Sequence, residues 1–162
     1  RRDRRVALLL DALSELGCRP HSAFFACRHC DEAGASAYYA PDAGVVVCEQ
    51  HVARTPPSAV ATSVAHELVH AYDDCRAHVD FTNCEHRACS EIRASNLSGE
   101  CDLKFELMRG NAHFWAHKPA CVRRRAELSL RMQPSCRGVE AAAVRRVWTQ
   151  CYRDTLPFSH QL

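Results

Sequence analysis

Eleven cysteines spread over 162 residues restrict this chain more than any other feature of its sequence. They stand at Cys18, Cys27, Cys30, Cys48, Cys75, Cys84, Cys89, Cys101, Cys121, Cys136 and Cys151. A reducing cytosol keeps thiols free, so a load of this size points to metal binding or to an oxidising compartment. Metal clusters favour paired C-x-x-C motifs, and only one is present, CRHC at 27–30. The scatter of the others fits a disulfide framework that ties distant stretches together. An odd count leaves at least one thiol unpaired or bonded to another chain, and spacing does not give the connectivity.

CRHC admits three readings. With Cys48 and His51 of the segment CEQH it forms a C-x-x-C…C-x-x-H quartet suited to a second, structural zinc. Alternatively, Cys27 and Cys30 enter separate disulfides, one of them meeting Cys48 across neighbouring strands. They can also pair with each other as a redox couple.

Hydrophobic periodicity supplies the frame. Val6, Leu9, Leu10, Leu13 and Leu16 recur at helical spacing over 3–16, and Gly17 ends that helix. Residues 24–30, 35–41 and 44–50 read as short strands, with PDAG at 41–44 as a turn. Helices are expected at 55–77, 85–97, 101–109, 119–131 and 138–151. Thr55 or Ser58 is positioned to cap the first of these, and prolines are tolerated in its opening turn. The expected architecture is α+β: one domain over 1–162, mostly helical and zincin-like, stapled by disulfides, with a small N-terminal antiparallel sheet at 24–50.

Bulk properties exclude several classes. A quarter of the residues are charged, yet the formal net charge is only +2 and the pI about 8.1, too mild to imply nucleic acid. The basic runs RRDRR at 1–5 and VRRRAELSLR at 122–131 suit solvated helix faces, or contact with an acidic membrane surface. No apolar run approaches the roughly 20 residues that span a bilayer, and no signal peptide is read at the start.

HELVH, residues 66–70, carries the chemistry. Residues four apart on a helix lie about 40° apart around its axis, so His66 and His70 share a face. Two imidazoles so placed can meet one Zn²⁺ at about 2.0–2.1 Å. Glu67 follows the first histidine and suits the role of general base towards a water activated by the metal. Val60, Val64, Leu68 and Ala71 offer the helix a buried stripe. Asp73, one turn past His70, can accept the second ring N–H of a ligand histidine, or lie in a solvated helix end.

A catalytic zinc needs a third protein ligand. The longer H-E-x-x-H-x-x-G-x-x-H pattern is not met, because Asp73 and Arg76 occupy its last two fixed positions. Glu91, on the expected helix at 85–97, is the favoured third ligand. It has an ordinary alternative as a surface glutamate paired with Arg87. His86, His78 and Asp80 remain candidates for the ligand position.

The stretch SVAHELVHAYDDCRAHVDFTNCEHRACSEIRASNLSGEC, with CVRRRAELSL and VWTQCYRDTLPF beyond it, resembles a family of mitochondrial metallopeptidases. That family matures the ATP synthase subunit a (subunit 6) precursor and is also called Ku-binding-protein-like. The likeness runs from about Cys27 to RDTLPF at 153–158. It implies a zinc peptidase of the intermembrane space, peripheral on the inner membrane and held by intramolecular disulfides. It implies cleavage of the subunit a presequence, and a protease-independent chaperone role with assembly factors of the synthase's membrane sector. The motif carries over to His66, Glu67 and His70, and SEIRA to Glu91. Substrate is then expected along an edge of the small sheet, as an added strand. The alternative is an assembly chaperone with little or no proteolysis. A nuclear interaction module, suggested by the family's second name, fits poorly with this many cysteines.

Overall fold

A computed structural model describes residues 3–31, 36–111 and 117–158. The chain divides into two compact units, one ending at His78 and one starting at Val79.

The first unit opens with α1, Arg4–Glu15, capped by Asp3, whose carboxylate accepts from the Arg5 and Val6 amides. Leu9 and Leu13 are its fully buried residues, and this face packs on α3, Pro57–Arg76. The Cys18–Cys75 disulfide closes the same pair of helices near their ends. Neither Thr55 nor Ser58 caps α3. Pro56 takes the cap position and Pro57 the first helical one, while the Thr55 hydroxyl lies 3.2 Å from His51 Nδ1. A proline at the first helical position gives up no hydrogen bond, because that N–H has no partner within the helix.

Three strands lie between these helices: β1, Phe25–Arg28; β2, Ala37–Ala40; β3, Gly44–Cys48. Ala35, the first residue of the strand expected at 35–41, lies outside the described residues. The strand order is β1-β3-β2. The pairing differs from the wholly antiparallel sheet expected from the sequence. β2 and β3 form an antiparallel hairpin, but β1 runs parallel to β3, with Phe25 opposite Val45 and Arg28 opposite Cys48. The physical reason lies in β3. Its GVVVC run is the most buried strand, so it takes the centre and each neighbour pairs on one side. Parallel pairing brings the C-terminal ends of β1 and β3 together, which lets Cys30 reach Cys48 in a disulfide. Residues 49–50, expected to continue β3, begin a short helix instead: α2, Glu49–Val52.

The sheet requires one glycine. Gly44 has φ +74°, and a Cβ there would stand 2.3 Å from the Phe24 carbonyl oxygen. That same oxygen accepts the Val45 amide at 2.8 Å. Only a residue without a side chain lets β1 and β3 approach this closely.

The second unit is built on α4, Cys84–Leu97, which packs against α6, His117–Met132, and α7, Glu140–Arg153. A short α5, Leu103–Met108, and a 3₁₀ turn, Pro134–Cys136, fill the connections. Asn83 caps α4 through the Glu85 and His86 amides. The core is made of small aliphatics and sulfur: Ala88, Ile92, Val122, Ala126, Leu130, Ala143 and Val144 around Cys101, Cys121, Cys136 and Cys151. Three disulfides run through it: Cys84–Cys136, Cys89–Cys151 and Cys101–Cys121. Arg93 is fully buried on α4. Its guanidinium donates to the carbonyls of Asp154 and Leu156 and pairs with the Asp154 carboxylate at 2.6 Å. The segment after α7 is thereby tied to α4. Among the described residues no helix is long and apolar enough to cross a membrane.

Candidate metal centre

α3 carries the HELVH motif where the helix is most enclosed. From Ala65 to Asp73 every residue except His66 is buried. Isolated charges and imidazoles are costly in such surroundings unless something pairs with them. His66 and His70 project from one side of the helix, as a four-residue interval dictates. Their ring centroids are 4.9 Å apart and the ring planes are inclined by 76°. Glu67, between them in sequence, retains 9% of its accessible surface and His70 8%.

The acidic residues after the motif have defined partners. Asp73 is buried and accepts Arg76 Nε at 3.1 Å, so it does not form a solvated helix end. Asp74 accepts the Tyr39 hydroxyl at 2.8 Å, which ties β2 to the second half of α3. Burial, and then the Asp74 carboxylate that it donates to, push the Tyr39 phenol well above its usual range.

Glu91 lies on α4 and is 5% exposed. It is not the surface glutamate that pairing with Arg87 would make it, since Arg87 Nη1 turns to the Phe81 carbonyl at 3.4 Å. The Ser129 hydroxyl of α6 donates to Glu91 Oε1 at 2.5 Å. His66 and His70 each offer a ring nitrogen from α3, and Glu91 offers a carboxylate oxygen from α4. The donor set of two imidazoles and a carboxylate suits Zn²⁺.

The other candidates for the third ligand have surroundings of their own. His86 is exposed in the first turn of α4, and its Nδ1 accepts the Asp80 amide at 3.2 Å. Asp80 accepts both the amide and the hydroxyl of Thr82, which hold its carboxyl below the usual range. His78 is exposed just past the end of α3. The CRHC zinc quartet is ruled out, because Cys30 and Cys48 are bonded to each other and offer no thiolate. Cys27, the odd cysteine, is an exposed free thiol on β1. Sequence reasoning missed the Ser129 contact altogether. It links residues 38 apart, and a serine in a helix carries no local sign of a partner at that distance.

The family model described as Peptidase M76 family matches residues 1–159. The chain is 40% identical over 156 residues to the mitochondrial inner membrane protease ATP23 of Yarrowia lipolytica, covering 94% of this chain and 61% of that protein. It is 38% identical to the protein of the same name in Schizosaccharomyces pombe, covering 94% of this chain and 83% of that one. It is 40% identical to the human mitochondrial inner membrane protease ATP23 homolog, covering 94% of this chain and 63% of that one. The chain therefore spans less than two thirds of the Yarrowia and human relatives. No solved structure matches it.

Proposed function

Because this chain belongs to the peptidase M76 family, we propose that it is a zinc-dependent endopeptidase of the mitochondrial intermembrane space, peripheral on the inner membrane. Its substrate in this reading is the ATP synthase subunit a precursor, and it also assists assembly of the synthase's membrane sector. The observation that carries the reading is the pair of imidazoles, His66 and His70, on one side of α3, with the buried Glu67 between them in sequence. The names of the relatives, which place those proteins at the mitochondrial inner membrane as proteases, support the location and the reaction class. Five disulfides fit an oxidising compartment.

His66 and His70 would hold the cation through imidazole nitrogens, and Glu91 would add a carboxylate to the ligand set. When bound, Zn²⁺ supplies Lewis acidity, polarising the scissile carbonyl and making water more acidic near neutral pH. Glu67 takes a proton from the attacking water on its carboxylate oxygen and returns it to the departing amide nitrogen. Burial of Glu67 strengthens this role, since little bulk water competes for its proton. An extended substrate segment would add as a strand to an edge of the three-stranded sheet, its main chain satisfied by the strand's free amides and carbonyls.

Glu67→Gln tests the assignment. It preserves size and hydrogen-bonding shape but removes the proton acceptor. The expected result is unchanged zinc content and melting, with precursor cleavage falling by about 10²–10⁴-fold. Cleavage that persists at the original rate would overturn the peptidase reading of this site. If the variant still supports assembly of the synthase, the chaperone role is separate from proteolysis.

A further inference from the structure

We infer that Ser129 is a positioning residue for the metal centre: its hydroxyl fixes the carboxylate of Glu91. The inference rests on the reading of Glu91 as the third ligand. The 2.5 Å contact from Ser129 Oγ to Glu91 Oε1 is at the short end for a hydroxyl donating to a carboxylate. It joins α6 to α4 across 38 residues of sequence.

Three other helical hydroxyls behave differently. Ser14 donates to the Leu10 carbonyl, Thr62 to Ser58 and Ser63 to Ala59, each four residues back on its own helix. That is the ordinary fate of a hydroxyl in a helix. Ser129 instead donates to a side chain of another helix. Its position is rigid, because its neighbours Ala126 and Leu130 are fully buried in the core of the unit.

The nature of the donor matters as much as its place. Two other buried glutamates of this unit are held by arginines. Glu106 pairs with Arg109 at 2.9 Å and with Arg124 at 2.8 Å, and Glu100 pairs with Arg125 at 2.9 Å. A guanidinium orients a carboxylate but also cancels its charge. The Ser129 hydroxyl orients Glu91 without supplying a positive charge. With Oε1 engaged, rotation about the last side-chain bond is restricted. A partner of this kind acts through the ligand and not on substrate, and its loss characteristically costs metal affinity.

The experiment measures Zn²⁺ affinity by competition with a chromophoric chelator, on the full chain with its disulfides intact. The proteins compared are the natural chain, Ser129→Ala, Ser129→Thr, Glu91→Gln, and Ser129→Ala combined with Glu91→Gln. Ser129→Ala is expected to weaken zinc binding by about 10-fold or more. Folding should survive, since alanine is the better helix former. Ser129→Thr keeps a hydroxyl on the same backbone and should bind like the natural chain. Glu91→Gln should lose affinity, and adding Ser129→Ala to it should cost nothing more. If Ser129→Ala binds zinc normally while Glu91→Gln does not, the inference is overturned and the ligand assignment stands. If threonine fails as badly as alanine, the hydroxyl is not the agent and the inference is also overturned. If Glu91→Gln binds zinc normally, the ligand assignment itself falls, and the role of Ser129 falls with it.

Discussion

The two compact units hold themselves together by different means. The unit ending at His78 has an apolar core of ordinary type, with Leu9, Leu13, Val45, Val46, Leu68 and Val69 fully buried. The unit starting at Val79 has a thinner one. Its largest fully buried side chains include Arg93 and Glu106 beside Phe158, Ile92, Leu97 and Leu130, and much of the remainder is alanine and half-cystine. It contains three of the five disulfides. A unit that buries charge and small residues gains less from removing apolar surface from water. Covalent cross-links that restrict the unfolded chain compensate for this. The lesson for the site is that HELVH is held by packing along one helix. Glu91 is held by a helix whose neighbours are fixed through sulfur and ion pairs.

The largest expected effect follows from that contrast. Replacing Cys89 and Cys151 together by alanine opens a loop of 62 residues' separation and should cost about 4 kcal/mol on the chain-entropy account. Replacing Cys30 and Cys48, separated by 18, should cost about 3 kcal/mol. Cys151 is also almost wholly buried, so its loss leaves a cavity as well. Denaturant unfolding of the two double variants measures the order. If the Cys30–Cys48 pair proves the costlier, the second unit is not the more dependent on its cross-links.

A smaller effect probes the first unit, where backbone fit replaces sulfur. Gly44→Ala combines a φ of +74° with a contact of 2.3 Å to the Phe24 oxygen, and should cost about 2 kcal/mol or more. Gly17→Ala is the matched control. It has φ +86° and nothing within 4 Å, so it should carry only the backbone cost of about 1 kcal/mol. Thermal melts of both variants separate the two contributions. Equal losses would mean that the close approach of β1 and β3 is not a constraint.

The smallest effect is a pH dependence in the second unit. Burial works to raise the Glu106 carboxyl, but hydrogen bonds from Arg124 and Arg109, with their charges, outweigh it and hold the group below its usual 4.5. A depressed folded-state pKa means that the contribution is complete above 4.5 and is lost as pH falls through the lower, folded value. Glu106→Gln should therefore flatten the acid side of the stability curve below that pH, relative to the natural chain. Two curves of equal slope there would show that the arginines do not stabilise the ionised form.

The sequence by itself determined what depends on neighbours along the chain. The 3.6-residue period placed α1, α3, α4, α6 and α7 close to their observed limits. The four-residue interval in HELVH put His66 and His70 on one face, because backbone geometry alone dictates it. The glycine in PDAG was legible for the same reason. What only the tertiary structure decided are pairings between distant residues. These are which cysteines meet, why β1 runs parallel to β3, why Arg93 is buried against the Asp154 and Leu156 carbonyls, and that Ser129 meets Glu91. Cys27 is free because the parallel register carries Cys30 to Cys48 instead. Such contacts are chosen by packing and loop closure over the whole unit, and no local pattern of side chains encodes them.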